Sequence, residues 1–121
     1  FLVNTEAPAI LAGFAKKINA DYITYSTDFV FDGGKNSPYT EEDAAAPLSK
    51  YGKSKREGEK VVLKTYSKSF VIRTSWLFGI GNVNFSKKIL EWSKVKEELN
   101  IVDNEIASPT YSTDLAIFDT D

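Results

Sequence analysis

The chain has no cysteine, no histidine and no methionine among its 121 residues. Without cysteine it cannot form disulfides or use thiolate chemistry, and without histidine it cannot build a Ser-His-Asp triad. A zinc site of the usual Cys/His kind is excluded as well. A complete gene product normally begins with methionine, whereas this chain begins with Phe1. We therefore expect it to be an internal piece of a longer protein.

An excess of one charge and a long apolar run are also missing. The 15 basic and 17 acidic residues give a net charge of −2, so no basic stripe points to nucleic acid. No apolar run approaches the ~18 residues that a membrane span needs, and no signal-peptide pattern is present. We expect no nucleic-acid partner, no membrane partner and a cytoplasmic location. The hydrophobic content of 42% suits one globular domain.

Helix-like and strand-like stretches alternate along the chain. Apolar residues recur at spacings of three and four over residues 4–18, which predicts an amphipathic helix, and a second helix is predicted over residues 48–66. Residues 22–25 are rich in β-formers and predict a buried strand, and residues 70–73 predict a second short strand. The remaining predicted elements are a helix at 84–92, a strand at 99–102 and a helix starting at 112–115.

This alternation is typical of βαβ units with a parallel sheet, so we expect 22–25 and 70–73 to be parallel neighbours. In such sheets ligands bind outside the carboxyl ends of the strands. Ser26-Thr27-Asp28 and Thr74-Ser75-Trp76 both follow predicted strands. The start of the helix at 48–66 is expected to reach the same edge, so three stretches are predicted to converge on one place.

The helix at 48–66 opens with Tyr51-Gly-Lys-Ser-Lys55. Residues four apart lie on one face of a helix, so Tyr51 and Lys55 point the same way. A free tyrosine has a pKa of ~10, and a nearby ammonium favours the phenolate. A tyrosine placed in this way can give a proton to a developing alkoxide. The pair alone is weak evidence, because lysine-rich helices produce it by chance and Lys53 and Arg56 could belong to a solvated face.

An ordered set of motifs accompanies the pair. The motifs are Ser26-Thr-Asp-Phe-Val-Phe-Asp-Gly33, Pro38-Tyr39, Glu42-Asp43, Pro47-Leu48, Arg73-Thr-Ser-Trp-Leu-Phe-Gly79, Ser108-Pro-Thr-Tyr111 and Asp114-Leu-Ala116. Together with Tyr51-Gly-Lys-Ser-Lys55, the set resembles the extended short-chain dehydrogenase/reductases and, among them, the dTDP-4-dehydrorhamnose reductase family. The resemblance covers residues 4–116.

The resemblance implies a Rossmann-like, doubly wound parallel α/β sheet. Residues 1–121 would be the C-terminal half of an NAD(P)-binding domain, without its glycine-rich portion and without the C-terminal substrate lobe. The implied reaction is hydride transfer from NADPH or NADH to the C4 ketone of a nucleotide-linked deoxysugar, dTDP-4-dehydro-L-rhamnose. A homodimer of the intact protein is a further expectation.

The resemblance also implies a role for each matching residue. Tyr51 matches the proton donor, and Lys55 matches the residue that binds the nicotinamide ribose, so both belong to the cofactor site. Thr27 matches the hydroxyl that holds the sugar carbonyl, and Asp28 matches its neighbour in the substrate site. Trp76 matches the aromatic residue that packs against the sugar ring. The structural alternatives are a strand-end cap for Thr27 and Asp28, and a core position for Trp76.

Two departures from the family pattern leave alternatives open. Members often carry tyrosine where this chain has Phe29, and the G-x-x-G-x-x-G turn that binds pyrophosphate is missing. A non-catalytic regulatory subunit, such as the β subunit of methionine adenosyltransferase, resembles the same fold. Dehydratases place a second acid after Asp28, where this chain has Phe29, and epimerases usually carry Asn where this chain has Ser75-Trp76.

Overall fold

A computed structural model describes residues 1–81 and 83–118 of the chain. The chain forms two compact units, Phe1–Arg73 and Thr74–Asp121. The elements up to Thr74 are a π-helical turn at Leu2–Glu6, α1 at Ala7–Ile18, β1 at Tyr22–Thr27, a 3₁₀ turn at Asp28–Val30, α2 at Lys50–Thr65 and β2 at Ser69–Thr74. The later elements are β3 at Leu77–Phe78, α3 at Phe85–Trp92, β4 at Thr110–Tyr111 and α4 at Ser112–Phe118.

Strands β1 and β2 are hydrogen-bonded neighbours. The N–H of Tyr22, at the start of β1, donates to the carbonyl oxygen of Lys68, just before β2, at 3.0 Å. The two strands therefore begin side by side and run in the same direction, with α2 as the crossover between them. This confirms the predicted parallel neighbours and the α/β fold class, and both strands are longer than the stretches predicted from sequence.

Helices α1 and α2 pack together through a small buried cluster. Ala12 and Ala15 of α1 meet Val62 of α2 and Tyr66, which follows the last residue of α2, and Tyr22 of β1 packs against them. The alanines have short side chains, which allows the two helices to approach closely. Val62 is fully buried, and complete burial of a valine side chain contributes ~1.5–3 kcal/mol. This cluster holds α2 in place at the end far from Tyr51.

The start of α1 differs from the regular helix predicted from residue 4. Pro8 lies in the first α-helical turn and has no N–H, so the Asn4 carbonyl loses its ordinary helical donor. That carbonyl faces Gly58 of α2, where an added Cβ would collide with the Asn4 oxygen. The Asn4 side chain also donates to Ser54 Oγ at 3.0 Å. The π-helical turn therefore fixes α2 through both backbone and side chain.

The second unit contains a short parallel pairing. Leu77 of β3 lies opposite Thr110 of β4, and Phe78 lies opposite Tyr111. The rings of Phe78 and Tyr111 stack with their centroids 5.3 Å apart. Helix α3 begins after Asn84, whose side chain accepts a hydrogen bond from the Lys87 N–H at 3.0 Å.

The strand predicted over residues 99–102 is wrong. These residues are described and form no strand, and Ile101 and Val102 are 49% and 64% exposed. β-Formers adopt a strand only where a neighbouring edge and a buried face receive them. The pairing in this unit uses β3 and β4 instead, and two-residue strands are too short to show an alternating pattern.

Among the described residues, no helix has both the length and the apolar character required to cross a membrane.

Candidate active site

The end of β1 carries Thr27 and Asp28, as predicted. Thr27 is buried, and its hydroxyl oxygen accepts a hydrogen bond from the Phe29 N–H at 3.2 Å. The same hydroxyl donates to Asp28 Oδ1 at 3.0 Å. These bonds cap the 3₁₀ turn that follows β1. The cap interpretation therefore describes what the Thr27 hydroxyl does in this structure, and its role toward a substrate stays a prediction.

The start of α2 lies beside this strand end. Ser49 caps the helix, because its hydroxyl accepts a hydrogen bond from the Gly52 N–H at 2.9 Å. A Cβ on Gly52 would collide with the carbonyl oxygen of Phe29, so glycine lets the helix approach the 3₁₀ turn. The Phe29 and Tyr51 rings meet edge to face with centroids 6.1 Å apart. Half-exposed Tyr51 thus lies next to the residue that follows Asp28.

Lys55 lies one helical turn after Tyr51 and reaches β1. Its ammonium donates to the carbonyl oxygen of Tyr25 at 2.6 Å. Partial burial lowers the pKa of Lys55, against the attraction of Glu59, which raises it. The Tyr25 bond uses one of the three N–H donors of the ammonium, and no second acceptor bonds to it within residues 1–81 and 83–118. Lys55 therefore keeps donors for a ligand.

A buried carboxylate next to these residues was missed by the sequence analysis. Glu59 of α2 is 3% exposed and accepts two parallel bonds from Arg73 of β2, from Nε at 2.9 Å and from Nη2 at 2.8 Å. Arg56 Nη1 donates to the same carboxylate at 2.7 Å, and Ser26 lines the same small pocket as Glu59. Arg56 is therefore a partner of a buried acid, and the solvated-face interpretation is wrong for it.

The charge state of Glu59 follows from these donors. Burial by itself raises the pKa of Glu59, but the interactions with Arg73, Ser26 and Arg56, led by the hydrogen bonds from Arg73, together outweigh it, so its pKa lies below the ordinary value. One sequence signal could have revealed the residue. Glu59 shares a helix face with Val62 and Tyr66 by spacings of three and four, so an acid lies on an apolar stripe.

Trp76 belongs to the second unit. Its φ of 44° lies in the left-handed region, which bulky residues seldom adopt and which is often found at functional sites. Its ring meets the Phe85 ring edge to face at 5.1 Å, and 41% of its surface stays exposed. The predicted convergence of Trp76 with Thr27 and Tyr51 stays a prediction.

Comparison with known proteins identifies the family. The family model described as RmlD substrate binding domain matches residues 1–120. The chain belongs to this family. The match confirms the family relationship inferred from the motifs. The matched range includes the candidate residues of both units.

Individual relatives agree with this assignment. The spore coat polysaccharide biosynthesis protein SpsK of Bacillus subtilis is 42% identical over 116 residues, which span 96% of this chain and 41% of that protein. A crystal structure of a dTDP-4-dehydrorhamnose reductase from Clostridium acetobutylicum superposes with a TM-score of 0.92 at 40% identity, over 97% of this chain and 41% of the other.

A third relative has been crystallised with a cofactor. The dTDP-4-dehydrorhamnose reductase of Bacillus anthracis, solved in complex with NADP, has a TM-score of 0.91 at 36% identity, over 97% of this chain and 42% of that one. The superpositions confirm the Rossmann-like fold class. The chain spans about two fifths of the length of these relatives.

Proposed function

We propose that the complete protein containing this chain reduces the 4-keto group of a nucleotide-linked deoxysugar, dTDP-4-dehydrorhamnose, with NADPH or NADH. The observation that carries the proposal is the placement of Tyr51 and Lys55 on α2 beside Thr27 and Asp28 of the β1 end. Membership of the RmlD-type family supports the same chemistry. The relatives named above include reductases of this sugar, one of them solved with NADP.

The residues present fit a nicotinamide cofactor. Lys55 offers a partly buried ammonium with N–H donors beyond the one that Tyr25 occupies, and ribose hydroxyls accept such bonds. Tyr51 presents its ring half exposed at the same helix face. When bound, the cofactor would supply the hydride for the carbonyl carbon and would itself become oxidised. Tyr51 and Lys55 would hold its ribose and nicotinamide end.

The chain's own residues complete the reaction. The Tyr51 hydroxyl gives its proton to the carbonyl oxygen as that oxygen gains charge, and solvent returns a proton to Tyr51 afterwards. Lys55 stabilises the phenolate formed in between through its positive charge. Thr27 and Asp28 would orient the sugar, and Trp76 would pack against its ring. The product is the alcohol, because carbon receives the hydride and oxygen receives the proton.

In this function residues 1–121 are part of an NAD(P)-binding Rossmann-like domain, and other parts of the complete protein supply the glycine-rich portion and the substrate lobe. A cytoplasmic location and a homodimer of that protein stay predictions. Cell fractionation and sedimentation velocity on the complete gene product would test these two points.

The decisive experiment is an assay of the complete protein with dTDP-4-dehydrorhamnose and NADPH, followed by the loss of NADPH absorbance. We expect turnover, and we expect Tyr51→Phe to lower kcat by roughly 10²–10⁴-fold, since phenylalanine keeps the ring and removes only the transferable proton. Lys55→Met should lower kcat and weaken NADPH binding together, because one ammonium performs both tasks.

Wild-type turnover by the Tyr51→Phe variant would show that Tyr51 is not the acid. No turnover by the wild type, with NADPH binding intact, would favour the regulatory-subunit alternative.

A further inference from the structure

Helix α2 contacts β1 close to its carboxyl end. Lys55 donates to the Tyr25 carbonyl at 2.6 Å, and one helical turn later Glu59 lines the same small pocket as Ser26. Thr27 and Asp28 follow Ser26 in the chain, so α2 contacts β1 immediately before the candidate substrate residues.

Glu59 also reaches the segment that follows those residues. Arg73 of β2 binds both carboxylate oxygens of Glu59, and its guanidinium lies 4.9 Å from the centre of the Phe31 ring. Phe31 comes three residues after Asp28 and stacks on Tyr39 at 4.2 Å. The carboxylate is therefore connected through Arg73 to the chain that follows Thr27 and Asp28.

A buried ionic cluster of this kind is not explained by stability alone. Replacing a buried ion pair or triad with apolar residues of similar volume is often neutral or stabilising, because desolvation offsets the attraction between the charges. The two parallel hydrogen bonds from Arg73 fix the geometry of the pair, because a planar guanidinium matches a carboxylate in one orientation. A hydrophobic contact at the same place has no such preference for one orientation.

We propose that Glu59 is a positioning residue: its bonds to Arg56 and Arg73 fix the placement of α2 on β2 and hold Arg73 over Phe31, and thereby fix the position of Tyr51 and Lys55 relative to Thr27 and Asp28. The inference rests on the proposed reductase function for its kinetic test. It assigns to Glu59 no contact with substrate or cofactor.

The test compares Glu59→Gln with Glu57→Gln in the complete protein. Glu57 lies on the same helix and pairs with Lys60 at 2.6 Å, but its side chain is 47% exposed, so this variant removes a surface pair only. We expect Glu59→Gln to lower kcat by roughly 10- to 100-fold with a smaller change in the KM for NADPH, because misplacement by about 1 Å costs rate more than binding. Glu57→Gln should stay within about twofold of wild type.

A second variant separates positioning from stability. Arg56→Met/Glu59→Leu/Arg73→Met removes all three charges, and we expect its thermal midpoint to lie within about 5 °C of wild type. Its kcat should stay reduced to the extent seen for Glu59→Gln. If the triple variant regained wild-type kcat along with stability, the cluster would be structural only and the inference would be overturned. If it failed to fold, the comparison of Glu59→Gln with Glu57→Gln would decide.

Amide hydrogen exchange provides a readout without turnover. We expect exchange at residues 27–29 to be faster by roughly tenfold in Glu59→Gln than in Glu57→Gln, because the turn before Phe31 loses the support of the Arg73 guanidinium that Glu59 holds in place. Equal exchange in the two variants would contradict the inference even if the protein did not reduce the sugar. Wild-type inactivity toward the sugar would contradict the proposed function alone.

Discussion

Thr27 combines a local structural task with a proposed role in substrate binding. Its hydroxyl accepts from the Phe29 N–H and donates to Asp28, so the proton is directed at a neighbouring carboxylate. A substrate carbonyl would have to receive that proton in place of Asp28. In its proposed role, Thr27 would exchange Asp28 for the substrate oxygen, while its bond from the Phe29 N–H keeps the turn intact.

The exchange of partners leads to a prediction for Thr27→Val. The variant keeps the shape of the side chain and loses the hydroxyl, so we expect kcat to fall by up to ~10²-fold, as when one donor to a developing charge is removed. Loss of the cap should also cost about 1 kcal/mol of unfolding free energy. Thr27→Ser keeps both hydrogen bonds and is the matched control. Steady-state kinetics and urea unfolding of the complete protein measure the two effects, and an unchanged kcat in Thr27→Val would remove Thr27 from the proposed site.

At the scale of elements, α2 is positioned by close backbone contacts at two glycines. Gly52 lies against the Phe29 carbonyl, and Gly58 lies against the Asn4 carbonyl. Because neither position leaves room for a Cβ, the helix approaches the neighbouring backbone more closely than any other residue would allow. These contacts bring the Tyr51 end of α2 to the strand end.

We predict that Gly58→Ala lowers the unfolding free energy by about 1–3 kcal/mol, through collision of the new methyl group with the Asn4 carbonyl. Gly13→Ala in α1 is the control, since a Cβ at Gly13 would meet nothing within 4 Å. Alanine is the better helix former, so the control should be neutral or more stable by up to ~1 kcal/mol. Urea unfolding of both variants measures the difference, and equal effects would show that the contact at Gly58 relaxes freely.

Glu59, Arg56 and Arg73 form an ion cluster between α2 and β2. We expect its contribution to the free energy of unfolding to depend on pH. Because the pKa of Glu59 is lowered on folding, its ionised form stabilises the native state at pH values above the ordinary glutamate pKa of ~4.3. That contribution is lost as the pH falls through the lowered pKa. We therefore expect Glu59→Gln to be less stable than wild type by ~1–3 kcal/mol at pH 7, with the difference shrinking below about pH 4.

Denaturant unfolding of wild type and Glu59→Gln between about pH 3 and 7 tests this dependence, because this range includes the ordinary pKa of a glutamate. The same series on Glu57→Gln corrects for surface carboxylates. A stability difference that stayed constant down to pH 3 would mean that Glu59 acts through its shape and not through its charge.

At the scale of the whole molecule, the chain contains the candidate proton donor but no glycine-rich phosphate-binding turn. Such a turn offers backbone N–H groups at a helix N-terminus to the pyrophosphate of a dinucleotide. We predict that the 121 residues alone bind NADPH poorly or not at all. Titration calorimetry, with circular dichroism to verify folding, measures this, and micromolar affinity would contradict the prediction.

The order of helices and strands in the first unit could be predicted from sequence, because periodicity and β-formers are local properties. The helix pattern ending at Ile18, the β-formers after Asp21 and the charged helix after Pro47 all appear in the structure. The strand predicted at 99–102 was wrong because a strand depends on a partner elsewhere in the chain. The pairing of Leu77 and Phe78 with Thr110 and Tyr111 depends on the same long-range condition and left no local signal.

Within the candidate site, the sequence alone determined which residue types were available: Tyr51 and Lys55 on one helix face, Thr27 and Asp28 after a strand, and no histidine or cysteine to offer another chemistry. Only the tertiary structure decided their surroundings. In the structure Lys55 donates to the Tyr25 carbonyl, Phe29 packs against Tyr51, and Glu59 is buried among donors from β2 and from its own helix. Spacing along a helix fixes relative direction, whereas burial and hydrogen-bond partners come from residues distant in sequence, and these set the charge and position of each group.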